Sequence, residues 1–131
     1  MLGAVLVVAP VPVDNIAHVW EQAGSPSIVW IDDPAALGGH YGRTGSERGV
    51  ITLNRAPGTN VDMTKTFLHE LGHAWADHQS VDMDAYALLR GFPTSTEEWV
   101  VVEDYAEFFM DALSGGRFPH SGESPYGFKN V

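Results

Sequence analysis

The sequence predicts an α+β fold: a small mixed sheet, with a hairpin and an edge strand, packed on two helices that carry the chemistry. Three observations predict it. Residues 27–31 and 49–54 are short β-branched runs bounded by Pro, Gly and Asp, as strands are. Residues 65–76 place Phe67, Leu71 and Trp75 four apart, an apolar ridge of a helix. A second long helical pattern begins near a Ser95-to-Glu98 capping box and runs from Thr96 to about Leu113, where Gly115 and Gly116 stop it.

In chain order, residues 1–13 are strongly apolar but too short to span a bilayer, and no basic segment precedes them. They are read as a buried strand rather than a signal peptide, which favours a cytoplasmic over a secreted protein. Asp14 is the expected cap of a helix carrying Ile16, Val19 and Trp20 and ending at Gly24, with His18 exposed on it. Residues 27–31 are expected to be buried. Residues 37–54 read as a hairpin turning at 44–47, whose second strand puts Ile51 and Leu53 on one face. That strand is expected at the sheet edge beside the main helix, which Asp62 or Thr64 caps and which runs to about His78. Gly72 inside it costs roughly 1 kcal/mol relative to Ala, so a close neighbour is expected there. Residues 81–90 form a shorter helix ended by Gly91, and residues 114–131 an irregular tail.

At 131 residues the chain is expected to be a single domain, 1–131, able to bury a core without disulfides. Apolar residues make up 44%, and the net charge is −10. A nucleic-acid footprint would be basic and clustered, so no nucleic-acid partner is expected, and no membrane partner either. Cysteine is absent, which excludes thiolate metal sites and cysteine nucleophiles. Oligomeric state is left open.

The main helix contains His69-Glu70-Leu71-Gly72-His73. Residues four apart stack on one helical face, so His69 and His73 can grip one ion, and Glu70 can reach a water on it. Two imidazoles with a neighbouring carboxylate suit Zn2+ in a hydrolytic site. The ion needs a third protein ligand. The candidates are Asp77, His78, Asp82, Asp84, Glu103, Asp104 and Glu107. His78 lies on the opposite side of the helix. A third histidine in the longer motif would need Gly at position 76 and His at 79, where the chain has Ala76 and Gln79. Glu103 is the strongest candidate, at the edge of a stripe of Trp99, Val102, Ala106, Met110 and Leu113, with Asp104 and Asp111 outside it. A salt-bridged Glu103, or Asp82 or Asp84 as ligand, stays open. Glu107, one turn on, could hold a ligand histidine from behind.

The His-Glu-Leu-Gly-His run, followed some thirty residues later by Glu103-Asp104-Tyr105-Ala106-Glu107, resembles the zincin metallopeptidases whose third ligand is glutamate (gluzincin-like). It is similar to the anthrax lethal factor catalytic-domain group and to the compact mobile-element peptidases that cut repressors. The resemblance covers two helices. It implies a minimal zincin-like domain, a zinc metallopeptidase acting on a peptide or protein substrate, more as an endopeptidase than an exopeptidase. It also implies Glu103 as third ligand and Glu107 as the support of a histidine. One departure counts: the position seven residues before the third ligand, a tyrosine in the lethal-factor group, is Thr96 here. Tyr41, Tyr86, Tyr105 and His40 are the alternatives. The competing expectation is a catalytically weak or inactive zincin-fold binding module with a structural metal.

Overall fold

A computed structural model describes residues 16–56 and 62–118. Over these the chain is a small α+β domain with a three-stranded mixed sheet and four helices: α1 (Ile16–Gln22), β1 (Ser27–Ile31), β2 (Gly39–Gly42), β3 (Val50–Asn54), α2 (Met63–His78), α3 (Met83–Arg90) and α4 (Glu98–Leu113). The apolar stretch 1–13 and the Asp14 cap lie outside the described residues, as does the tail beyond Phe118. No described helix is long and apolar enough to cross a membrane.

The strand order is β1-β3-β2, with β1 parallel and β2 antiparallel to β3. The hairpin is therefore as expected, but its second strand is not at the edge. β3 is central and β2 is the edge strand beside the main helix. Ile51 and Leu53 are buried under α2, and a strand so covered is stabilised most by pairing on both sides. β1 also departs from expectation. Ile28, Val29 and Trp30 are each more than 40% exposed, because no described helix packs on that strand.

The helix α2 lies between the sheet and α4. Asp62 caps it by accepting a hydrogen bond from the Lys65 N–H. Leu71, Ala74 and Trp75 are buried, with Phe67 half-buried, so the expected ridge does anchor the helix. The close neighbour of Gly72 is α4. A Cβ at Gly72 would stand 3.1 Å from both the Ala106 Cα and the Phe109 Cβ, tighter than ordinary contact. The helices can approach this closely only without a side chain there.

The start of α4 corrects three expectations. It begins at Glu98 after Glu97, whose side chain makes no capping bond, so the Ser95 box is not used. Trp99, placed in the apolar stripe, is 48% exposed. Asp104, placed outside it, is 4% exposed. The cause is that α4 is buried on two faces, one against α2 and one against α3. Ala106, Phe109 and Met110 are buried toward the first, while Asp104 accepts hydrogen bonds from the Tyr86 hydroxyl at 2.6 Å and the Arg90 Nε at 2.8 Å, both on α3. α3 itself starts at Met83, after Asp82 caps it, and ends at Gly91 in the left-handed region.

Asn54 fixes the approach to β2. Its buried amide donates to the carbonyls of Asp33 and Leu37 and accepts from the Ala56 N–H, so the 33–37 loop delivers β2 to the helix in one place.

The Asp104 clamp sets one outcome. Replacing Asp104 with Ala strands the Tyr86 hydroxyl and the Arg90 guanidinium, and should cost about 2–3 kcal/mol of folding stability. Urea unfolding measures this; a loss below about 0.5 kcal/mol, the range of inert surface changes, would remove the clamp from the account.

Candidate metal centre

One helical turn between His69 and His73 puts both imidazoles on the side of α2 that faces α4 and the cleft. The close approach at Gly72 brings Glu103 of α4 against them. The Glu103 Oε2 lies 2.8 Å from the His69 Nε2 and 3.1 Å from the His73 Nε2, and the two Nε2 atoms are 3.2 Å apart. Three ligand atoms thus form a near-equilateral triangle. A tetrahedral ion with bonds of roughly 2.0–2.1 Å holds its ligand atoms about 3.3 Å apart, so the triangle fits such an ion after a few tenths of an ångström of expansion. The donor set, two imidazoles and one carboxylate, suits zinc among common ions, and no thiolate is present to shift that preference.

Glu107 stands behind. Its Oε2 is 2.8 Å from the His69 Nδ1, where it accepts the outer N–H and fixes which nitrogen faces the triangle. Glu70 completes a His69-Glu70-His73 group whose ligand atoms lie within 4.8 Å of one another. It is 8% exposed and hydrogen-bonds to neither ring. Glu103 is the closer of the two carboxylates to the rings and the better candidate ligand, while the Glu70 oxygens take no hydrogen bond from either ring.

The electrostatics follow from this packing. Burial lowers the pKa of His69, but the hydrogen bonds to Glu103 and Glu107 outweigh it and raise the ring to about 10. Burial raises Glu103, and the two imidazoles more than reverse this, drawing it down to about 2. Glu70 is pushed up, first by burial, against the pull of the histidines. A carboxylate raised in this way is a better proton acceptor.

β2 forms the facing wall. Gly39 lies so close to α2 that a Cβ there would meet the Thr66 Cγ2 at 2.5 Å and the Glu70 Oε2 at 3.0 Å. Two residues on, the Tyr41 hydroxyl donates to the Asp77 Oδ2 at 2.7 Å, and Arg43 grips the same carboxylate through Nε and Nη2. Asp77 is thereby tied to the hairpin rather than turned to the triangle of His69, His73 and Glu103. A cleft of about 510 Å³ opens between these walls, lined by His40, Tyr41, Glu70, His73, Met83 and Glu103 among others.

The other candidates fall elsewhere. His78 is exposed and packs over Gly24, Asp82 is a helix cap, Asp84 is exposed on α3, and Asp104 belongs to its clamp. His18 is exposed on α1. Of the tyrosines weighed against Thr96, Tyr86 and Tyr105 are buried in the core. Gly39 and the Tyr41–Asp77–Arg43 tie escaped the sequence reading; the Gly38-Gly39 pair before His40 was the available signal. Comparison with protein-family models, with curated proteins and with solved structures gives no match. The site stands on its geometry.

The pairing around His69 has a sign in pH. In the metal-free protein its contribution to stability is complete below about 6.5, the ordinary histidine value, and is lost as pH rises through about 10. That of Glu103 is complete above 4.5 and is lost as pH falls toward about 2. Ring ¹⁵N shifts of the metal-free protein should therefore show His69 still protonated at pH 8; a midpoint near 6.5 would contradict the pairing.

Proposed function

We propose that the chain is a small zinc-dependent peptidase, an endopeptidase with a minimal zincin-like fold. The observation that carries the reading is the convergence of His69, His73 and Glu103 on one point, with the buried, unbonded carboxylate of Glu70 beside it and an open cleft in front. A site meant only to hold an ion has no use for that fourth group.

Zinc, when bound, supplies a Lewis acid that makes a water acidic near neutral pH and polarises a peptide carbonyl. His69, His73 and Glu103 would hold it, with Glu107 fixing the His69 ring. Glu70 takes the proton of the attacking water and gives it to the departing amine.

The strand that receives the substrate is β2, the edge strand at the cleft. The Asn54 N–H donates to the Gly38 carbonyl across the antiparallel pair. By alternation, the paired residue of the strand itself is His40, opposite Thr52. Gly39 and Tyr41 then direct their main-chain groups away from β3, to the free edge at the cleft. An extended peptide adds there as a further strand. The lack of a side chain at Gly39 lets that edge sit against Glu70.

One observation favours the second reading, a binding module with a structural metal. Tyr41 already donates to Asp77, and Tyr86 and Tyr105 are in the core. Of the four alternatives to a tyrosine at position 96, which would stabilise the oxyanion of the attacked carbonyl, His40 alone lines the cleft with no side-chain hydrogen bond among the described residues.

Zinc content by elemental analysis, paired with cleavage of a random peptide pool, tests the proposal. Glu70→Gln should keep one zinc per chain and lose roughly 10²–10⁴-fold in hydrolysis. Hydrolysis retained in that variant would sink the role given to Glu70; zinc without cleavage in the unaltered protein would favour the module.

A further inference from the structure

β1 is the other edge of the sheet, with β3 between it and the strand that borders the metal cleft. Its parallel pairing with β3 fixes where its main-chain groups point. The Ser27 N–H donates to the Gly49 carbonyl, and the Ile31 carbonyl accepts from the Arg55 N–H. By alternation, Ser27, Val29 and Ile31 turn their groups inward to β3. The N–H and C=O of Ile28 and Trp30 therefore face outward, and among the described residues no strand receives them. Ile28 and Trp30 are in register with the buried Ile51 and Leu53, so their side chains lie on the α2 side of the sheet and Val29 on the other. All three are more than 40% exposed. Open main-chain groups and apolar side chains on both faces make this edge a template for another strand.

We propose that the strand it receives is β1 of a second copy of the chain, antiparallel about a twofold axis at Val29. The proposal does not rest on the peptidase reading. In this register Ile28 faces the partner's Trp30 and Trp30 the partner's Ile28, and both pairs use the outward main-chain groups of these residues for their hydrogen bonds. The same pairs set an indole beside a β-branched side chain on the α2 side, a favourable cross-strand combination. Val29 meets its own copy at the axis on the other side. Charge agrees with the antiparallel sense. The Arg48 Nε donates to the Ser25 carbonyl just before β1, Asp32 follows the end of β1, and neither side chain is ion-paired among the described residues. Antiparallel pairing brings the Asp32 end of each copy to the Arg48 end of the other, and a parallel arrangement would bring like ends together. A twofold contact of this kind uses the same patch on both copies and closes on itself. Both metal clefts stay open, at the two far edges of the joined sheet.

One short strand from each copy makes a small interface, so the dimer forms weakly, over about 10 µM to 1 mM. Sedimentation velocity of the full chain reads it, in about 0.15 M salt, where the charge of −10 on each copy is screened beyond about 8 Å. The unaltered protein should pass from monomer to dimer across that range. Val29→Lys and Val29→Glu each set like charges face to face at the axis, and should raise the dissociation constant at least about tenfold. Both should keep the helical circular dichroism of the unaltered protein, because residue 29 is exposed. Mixed in equal amounts, the two variants set Lys against Glu and should recover the dimer. A protein that stays monomeric throughout, variants that dimerise as well as the parent, or a mixture that fails to recover would overturn the inference. Amide exchange at Ile28 and Trp30 completes the test, with protection expected to rise with concentration. Protection of these amides in a monomer would also overturn the inference, and would assign the edge to another segment of the same chain.

Discussion

Where α2 and α4 cross, Gly72 meets the backbone of Ala106, and no side chain fills the gap between them. His69 and His73 sit on one helix and Glu103 and Glu107 on the other, so the spacing of the helices is also the spacing within this cluster. A residue larger than glycine would have to push the axes apart by a few tenths of an ångström. That displacement is comparable to the difference between the present triangle of 2.8–3.2 Å and the separation a tetrahedral ion imposes. The helix accepts the roughly 1 kcal/mol cost of an interior glycine. What it gains is a four-residue cluster assembled from two rigid elements, where a first ligand shell is held most firmly.

The rest of the domain holds those two helices and closes one side of the cleft. The Asp104 clamp locks α3 onto α4 beside Glu103, and the Asp77 tie locks the hairpin onto α2 one turn beyond His73. The same logic of missing side chains recurs at Gly39, where β2 comes within reach of Glu70. The cleft is thus bounded by a strand with free main-chain groups on one side and by helices on the other. On the proposed function, this is the feature that favours an extended chain over a small molecule as its ligand.

How much of this was legible in the sequence depends on the range of the interactions. The His69-Glu70-His73 group was legible because helical geometry alone places those residues, and so was the close neighbour at Gly72. Glu103 and Glu107 were found through a stripe only half right. A helix that packs on two partners has two apolar faces, and a single periodic stripe captures one, so Trp99 was placed inside and Asp104 outside. A buried aspartate looks exposed until its partners, Tyr86 and Arg90, are known. The order of the sheet was not legible, since the connections 32–38 and 43–49 are equally long and do not say which strand is central. β1 read as buried because β-branched runs usually are, yet no described helix covers it.

The central claim is that two imidazoles and one carboxylate from two helices close on a single zinc. Zinc-edge X-ray absorption of the zinc-loaded protein measures this directly. The account predicts four nitrogen or oxygen neighbours at roughly 2.0–2.1 Å, with outer-shell scattering from two imidazoles, falling to three neighbours or to a lost metal in Glu103→Ala. Three imidazoles in the unaltered protein, or a spectrum unchanged in that variant, would contradict it.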